Sequence, residues 1–477
     1  MMRLKFSLGL APALWALGAL AWAEASPPSY YEADPSRAGA EVRGAGPLPY
    51  SSRYAPAAAG AVLLKDATVL LGDGGRLDEG DVLFDAGRIV AVGSELSAPP
   101  GAEVIDAAGR WVTPGLIDVH SHLGDYPSPG VEAHSDGNEA TAPVTARVWA
   151  EHSVWPQDPQ FPLALMGGIT TLQILPGSAN LVGGRGVTLK NVPARSVMDM
   201  KFPGAPHSLK MACGENPKRV YGRRRSAPST RMGNVAGYRE SWIKARAYQA
   251  KLDEAAASGE ALPDRDLEME TLAGVLRGEI LIHNHCYRAD EMLIMLDIAR
   301  EFDYKITAFH HATEAYKIAD VLAEEGVCGA LWADWWGFKM ESNDAIEENI
   351  ALMEKAGACA IVHSDSARDI QRLNQEAAKA LMAAQRMGLP YDEALAIRWL
   401  TQNAAQALGI ADQTGVLAPG LMADVVLWSG NPFSVYSRAE RVWIDGTLHY
   451  AAGEGGVRPT TDFDLAQTPA GRGEASR

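Results

Sequence analysis

A chain of 477 residues with 47% hydrophobic and 21% charged content reads as an ordinary globular protein, and its length predicts two or three domains. A formal net charge of -16 excludes nucleic acid as a partner, because phosphate recognition needs a basic face. Only Cys213, Cys286, Cys328 and Cys359 occur, with no C-x-x-C pair, so the sequence predicts buried or unpaired thiols rather than a disulfide scaffold.

Residues 1–23 read as a secretory signal peptide. Arg3 and Lys5 precede an apolar run from Phe6 to Leu20, and Ala21-Trp22-Ala23 offers a small-x-small cleavage site. An uncleaved membrane anchor is the alternative, with Pro12 and the Ala-x-Ala end favouring cleavage. The mature protein is therefore expected to be periplasmic or secreted, with no membrane partner. Residues 24–60, rich in Ala, Pro, Gly and Ser without periodicity, predict an extended or disordered lead-in.

From Ala61 the character changes. "AVLLKDATVLLGDGG", "DVLFDAGRIVAVG" and "AEVIDAAGRWVTPG" are short β-prone runs separated by Gly-Asp and Gly-Arg turns, and similar runs return in "GVLAPGLMADVVLWSG" and "RVWIDGTLHY". This makes residues 61–113 and 412–455 the β-rich ends of the chain, with 456–477 as a tail. Between them, residues 114–411 alternate apolar strands with amphipathic helices, which predicts a parallel sheet of βα units. Candidate strands end near His122, Leu175, Lys190, Met211, His285, His311, Asp334 and Asp365, the eight of an α/β TIM barrel. The glycine-rich "LPGSANLVGGRG" lacks the lysine and serine of a phosphate loop and reads as a flexible rim loop.

In such a barrel the functional side chains come from the C-terminal ends of the strands. His120 and His122, one residue apart, point to the same face of the first strand. His283 and His311 lie 28 residues apart, His311 and Asp365 54, and His122 and Lys210 88, which fits repeats of roughly 30 residues per βα unit. Several imidazoles and a carboxylate converging on one rim point to a divalent metal, since imidazole and carboxylate suit zinc and similar ions.

"PGLIDVHSHLG", the ends "VIDAAGRWVTPG" and "ADVVLW", and the His, His, Asp order resemble the metal-dependent amidohydrolase superfamily, over about residues 61 to 450. The resemblance is particularly to its imidazolonepropionase-like and prolidase-like exported members. It implies a small β-sandwich formed by the two β-rich ends beside the barrel. It also implies one or two divalent ions per chain, with His120 and His122 on a first metal and His283 and His311 on a second. Asp365 would touch the first metal and shuttle the proton. Lys210 would bridge as a carbamate, because a free ammonium cannot bind a cation; Glu215 is the alternative bridge. His285 and His363 are candidates for substrate contact, while His310 is expected to point away from the rim in a structural role.

The reaction implied is hydrolysis of a C–N bond in a small molecule: a dipeptide, an N-acyl amino acid or a cyclic amide. A deaminase or C–O hydrolase on the same scaffold, or a catalytically silent binding relative, are the alternatives. The run "NPKRVYGRRRSAPSTR" stands in a long insertion after the fourth barrel strand. It reads as a solvated loop, as a subunit contact in a homo-oligomer, or as a clamp in which a cation such as Arg223 holds a substrate carboxylate. In "WADWWGFKM", Trp332 is expected in the core and Trp335 and Trp336 in an aromatic wall at the rim.

Overall fold

The computed structural model describes residues 50–453. The expected signal peptide and tail, and most of the expected lead-in, lie outside the described residues. No helix among the described residues is long and apolar enough to cross a membrane.

The two β-rich ends meet in one eight-stranded sheet. The N-terminal side supplies β1 (Val62–Leu70), β2 (Arg76–Asp85), β3 (Arg88–Gly93), β4 (Glu103–Asp106) and β5 (Trp111–Pro114). The barrel strands are β6 (Leu116–Ser121), β7 (Ile169–Ile174), β8 (Val182–Lys190), β9 (Ser208–Ala212), β10 (Leu281–His285), β11 (Ala308–His310), β12 (Cys328–Leu331) and β13 (Ala360–Val362). The chain then returns to the first sheet with β14 (Val425–Trp428), β15 (Ala439–Ile444) and β16 (Thr447–Ala451). The sheet order is β16-β15-β14-β5-β1-β2-β3, with β4 beside β1. The seam is the antiparallel pair β14–β5, where Val426 faces Thr113. Both chain ends contribute to one apolar core, in which Leu64, Val69 and Phe84 pack with Val425, Leu427 and Trp443. The β15–β16 turn uses Asp445 and Gly446, both at positive φ, as a two-residue hairpin of the twist-matching kind requires.

The barrel strands run in sequence order from β6 to β13. The Asp365 amide donates to the His120 carbonyl at 3.0 Å, linking the segment after β13 to β6. One strand departs from the expected parallel arrangement: β8 is antiparallel to both β7 and β9. The reason is the connection. Residues 175–181 hold no helix and are too few for a parallel crossover, which needs about a dozen residues, so β8 returns as a hairpin arm. "VGGRG" is accordingly buried strand rather than flexible loop. The reversal also carries Lys190 to the opposite face, where its buried ammonium lies 2.9 Å from Asp424 and 3.1 Å from Asp445, beside the terminal sheet.

The long insertion between β9 and β10 forms three helices, Glu215–Arg223, Arg231–Ser258 and Leu267–Leu276. Thr230 and Asp266 cap the second and third by accepting backbone N–H groups, and Gly259 ends the second in the left-handed region. Trp242 anchors the long helix in the core against Tyr304.

Two further expectations change. The four cysteines form two disulfides, Cys213–Cys286 and Cys328–Cys359, with Cα–Cα distances of 5.2 and 4.4 Å. Each pair belongs to adjacent strands: Ala212 pairs with His285 in the β9–β10 register, so the residues that follow face one another. Residues 50–60 of the expected lead-in have no regular element but are ordered against the body: the Ser52 hydroxyl donates to the Lys201 carbonyl at 2.6 Å, and Tyr54 donates to Asp445 at 2.6 Å.

Candidate metal centre and active site

His120 is the penultimate residue of β6, and Asp118 two residues earlier orients it. The His120 amide donates to Asp118 Oδ1 at 3.0 Å, and the Ser364 hydroxyl closes onto the other oxygen. His122 Nδ1 meets the Leu175 carbonyl at 2.7 Å, which turns its Nε2 toward Asp365 Oδ1 at 3.1 Å. His120 Nε2 is 3.6 Å from the same oxygen, and His311 Nε2 is 3.7 Å from Oδ2. Donor atoms of His120, His122 and Asp365 lie within 4.8 Å of one another, as do those of His120, His311 and His363.

His311 and Asp365 both have positive φ, 57° and 50°. A non-glycine residue in that region costs about 1–3 kcal/mol, and such strain collects at functional sites. At His311 the turn breaks strand alternation. His310 and His311 are therefore both buried at the barrel centre, and His310 does not point away as expected. Its Nδ1 is 2.8 Å from His120 Nδ1 and its Nε2 is 2.8 Å from His283 Nδ1, which makes it the floor beneath the cluster.

His283, expected on a second metal, belongs to that floor. Its remaining nitrogen, Nε2, contacts the Ala407 carbonyl at 3.1 Å, so neither ring nitrogen is open. His285, one strand repeat nearer the rim, takes the place expected of His283: its ring packs 4.9 Å from that of His311, and its Nδ1 is buried without a partner. Lys210 is fully buried, with Nζ 3.2 Å from His120 Nε2. Burial pushes its ammonium down to about 7. Glu215 opens the helix Glu215–Arg223 outside the histidine cluster, and Arg223 is exposed at that helix's far end, so the expected Arg223 clamp is not brought to the site. Trp332 is buried as expected and stacks on His311 at 4.3 Å.

The residues fit a divalent cation. His285 Nδ1, His311 Nδ1 and both nitrogens of His363 are buried with no hydrogen-bond partner, a rare condition in a protein interior. Burial, before any neighbouring charge, also holds His120, His285, His311 and His363 below the usual imidazole value, with His363 at about 3. Their lone pairs are thus free for a metal at neutral pH. Asp365 stays below the usual carboxylate range: burial opposes this, and the His122 hydrogen bond and nearby positive groups outweigh it.

Comparison with known proteins agrees with this geometry. A model of the amidohydrolase family matches residues 111–451. An amidohydrolase of Hapsidospora irregularis is 34% identical over 397 residues, 78% of this chain but only 40% of that relative's length. An imidazolonepropionase of Mesorhizobium japonicum is 24% identical over 377 residues, covering 74% of this chain and 87% of the relative. The crystal structure of an amidohydrolase from Thermotoga maritima superposes with a TM-score of 0.76 at 38% identity, over 82% of this chain and 100% of that one. The chain therefore belongs to the amidohydrolase family, with the α/β barrel its resemblance implied.

Four contacts around the site were not singled out from the sequence: Asn216, Tyr287, Lys339 and Asp118. Asn216 Nδ2 lies 3.2 Å from His285 Nε2, and the Tyr287 ring is 4.5 Å from that of His285. Lys339 was visible only as the one cation in an aromatic run, and Asp118 as the acid two residues before His120.

Proposed function

We propose that the protein is an exported metal-dependent hydrolase of C–N amide bonds in small molecules, with one or two ions, zinc by donor chemistry, held by His120, His122, His285, His311 and Asp365. The observation that carries this reading is the set of buried, partnerless histidine nitrogens gathered around Asp365 and Lys210. A bound divalent ion supplies Lewis acidity, polarising a carbonyl and lowering the pKa of water from about 15.7 to near 7. Lys210 would help hold the ion or ions as a carbamate; burial lowers its basicity to about 7, which keeps a neutral amine available for CO₂.

Asp365 is ionised at neutral pH and faces the centre of the cluster, so it accepts the proton of the attacking water and returns it to the leaving nitrogen. His363, with both nitrogens open, contacts the substrate near the scissile bond. Trp332 holds His311 in place and keeps water from its far face.

The terminal sheet, with one apolar core shared by both chain ends, supports reading residues 61–113 and 412–455 as the composite β-sandwich and 114–411 as the barrel domain. Two disulfides support export to an oxidising compartment, periplasmic or extracellular.

The test is metal analysis of the purified protein together with turnover of a panel of dipeptides, N-acyl amino acids and cyclic amides. Chelation should abolish turnover and zinc should restore it. Full metal content with no hydrolysis of any amide in the panel would defeat the proposal, and release of ammonia from an amino-purine or amino-pyrimidine by a one-ion enzyme would favour a deaminase.

A further inference from the structure

Lys339 lies on the loop after β12, and the hydrolytic chemistry above does not use it. Its Nζ donates to Asn216 Oδ1 at 2.9 Å and to the Tyr287 hydroxyl at 3.1 Å, and it sits 5.3 and 5.4 Å from the ring centres of Tyr287 and Phe338. Both hydrogen-bond partners touch His285 in turn. The ammonium is therefore one residue removed from the histidine cluster.

Its charge has no direct counter-ion. Among the described residues no carboxylate forms an ion pair with it: burial and then the nearby Arg219 push its ammonium down, and Glu215, Asp365 and Glu341 oppose them only through space. An ammonium has three donors, and two neutral acceptors leave one of them open. A half-buried cation without a counter-ion is costly unless a ligand supplies the charge.

The loop that carries it is fastened in place. Glu341, two residues on, accepts the Glu215 amide at 2.6 Å and Arg231 Nη2 at 2.5 Å. Gly214, at φ 74°, makes room for this: a Cβ there would stand 2.4 Å from Glu341 Oε2. On the other side of Lys339, the rings of Trp335 and Phe338 stack at 5.1 Å while remaining 42% and 44% exposed. Exposed aromatic rings beside an unpaired cation at the mouth of a site form a two-part recognition surface.

We propose that Lys339 determines specificity by binding a free carboxylate of the substrate, with an apolar or aromatic side chain of that substrate lying against Trp335 and Phe338. The preferred substrates are then dipeptides or N-acyl amino acids with an unblocked carboxylate next to a large apolar side chain. This rests on the hydrolytic reading of the same site, and it moves the anion-binding role from Arg223 to Lys339.

The experiment separates the two readings by measuring binding without turnover. The probe is the ketomethylene analogue of N-acetylphenylalanine, in which CH₂ replaces the scissile N–H, compared with the same compound whose carboxylate is reduced to an alcohol. Calorimetry on the zinc-loaded protein should show the acid binding about 10- to 100-fold more tightly than the alcohol, the range of a charge-assisted hydrogen bond. In K339M the ratio should fall to near one, while K339R should keep a preference for the acid; K339Q serves if K339M does not fold. A ratio near one in the unaltered protein, or an unchanged ratio in K339M or K339Q, would overturn the inference even if N-acetylphenylalanine is hydrolysed. Acid preference lost in K339M with no hydrolysis of any amide would support Lys339 as the anion site and overturn only the hydrolytic reading.

Discussion

Lys210 Nζ stands 3.2 Å from Nε2 of His120, so an amine and the first histidine of the barrel converge on one buried point. An ammonium there would repel a metal, whereas a carbamate would bind it. Lys210→Ala should lower kcat by about 100-fold or more and reduce the bound zinc per chain. A ¹³C resonance from protein equilibrated with ¹³C-bicarbonate, absent in the variant, checks the modification. Unchanged metal content in Lys210→Ala would remove the bridging role.

His285 and His283 should separate cleanly by metal analysis. Removing His285 opens the cluster, and His285→Ala should weaken zinc binding by at least the roughly 10- to 100-fold that loss of even an outer partner costs. His283→Gln should keep its zinc and instead destabilise the barrel floor by about 1–3 kcal/mol, because the contacts to His310 and Ala407 are lost. Zinc lost from His283→Gln and kept by His285→Ala would reverse the assignment.

The two disulfides should differ in what they protect. They close loops of 73 and 31 residues in sequence separation, and chain entropy gives each about 4 kcal/mol. Cys286 directly follows His285, so a Cys213→Ser, Cys286→Ser double variant should lose both stability and zinc affinity. Cys328 and Cys359 lie where β12 and β13 begin, at the far end of those strands, and their removal should lower the urea midpoint with zinc affinity retained. Equal zinc affinity in both double variants would show that the first bridge plays no part in holding the rim.

The metal-stripped protein should be acid-labile from near neutrality. Burial places His283 and His363 at about 3 and His207 at about 4, all below the unfolded value near 6.5. Because the folded values are lower, the unfolded chain takes up protons first as pH falls. The stability is whole above about 6.5 and drains away toward pH 3, at about 1.4 kcal/mol per pH unit for each such histidine. Unfolding midpoints of the apoprotein measured from about pH 7.5 to 4 should fall steeply, and a flat profile would show that these rings are not buried as neutral groups.

Much of the site could be read from spacing, because strand ends repeat at a nearly fixed interval and His120, His122, His311 and Asp365 each sit at one. The choice between His283 and His285 could not be. Both face the same side of β10, and only the depth of each layer, about 6–7 Å apart, decides which reaches the rim. The pairing of Cys328 with Cys359 is legible in their 31-residue separation, which equals one βα unit and sets them at the same level of neighbouring strands, whereas the number of cysteines alone does not carry it. The reversed β8 was written in the short, helix-free connection before it. Lys339 was hidden because its role depends on Asn216 and Tyr287, brought beside it from the first turn of the helix after β9 and from the loop after β10.

The pairing of β5 with β14, together with the Lys190 contacts to Asp424 and Asp445, has a consequence for how the chain is made. The first sheet cannot be completed, nor the Lys190 charge neutralised, until the final strands have been synthesised. Completion of this sheet is therefore deferred to the end of synthesis, and contacts so distant in sequence slow it. Premature termination anywhere before Asp424 should leave the Lys190 ammonium without its partners and yield a product that proteases remove rather than a shortened enzyme.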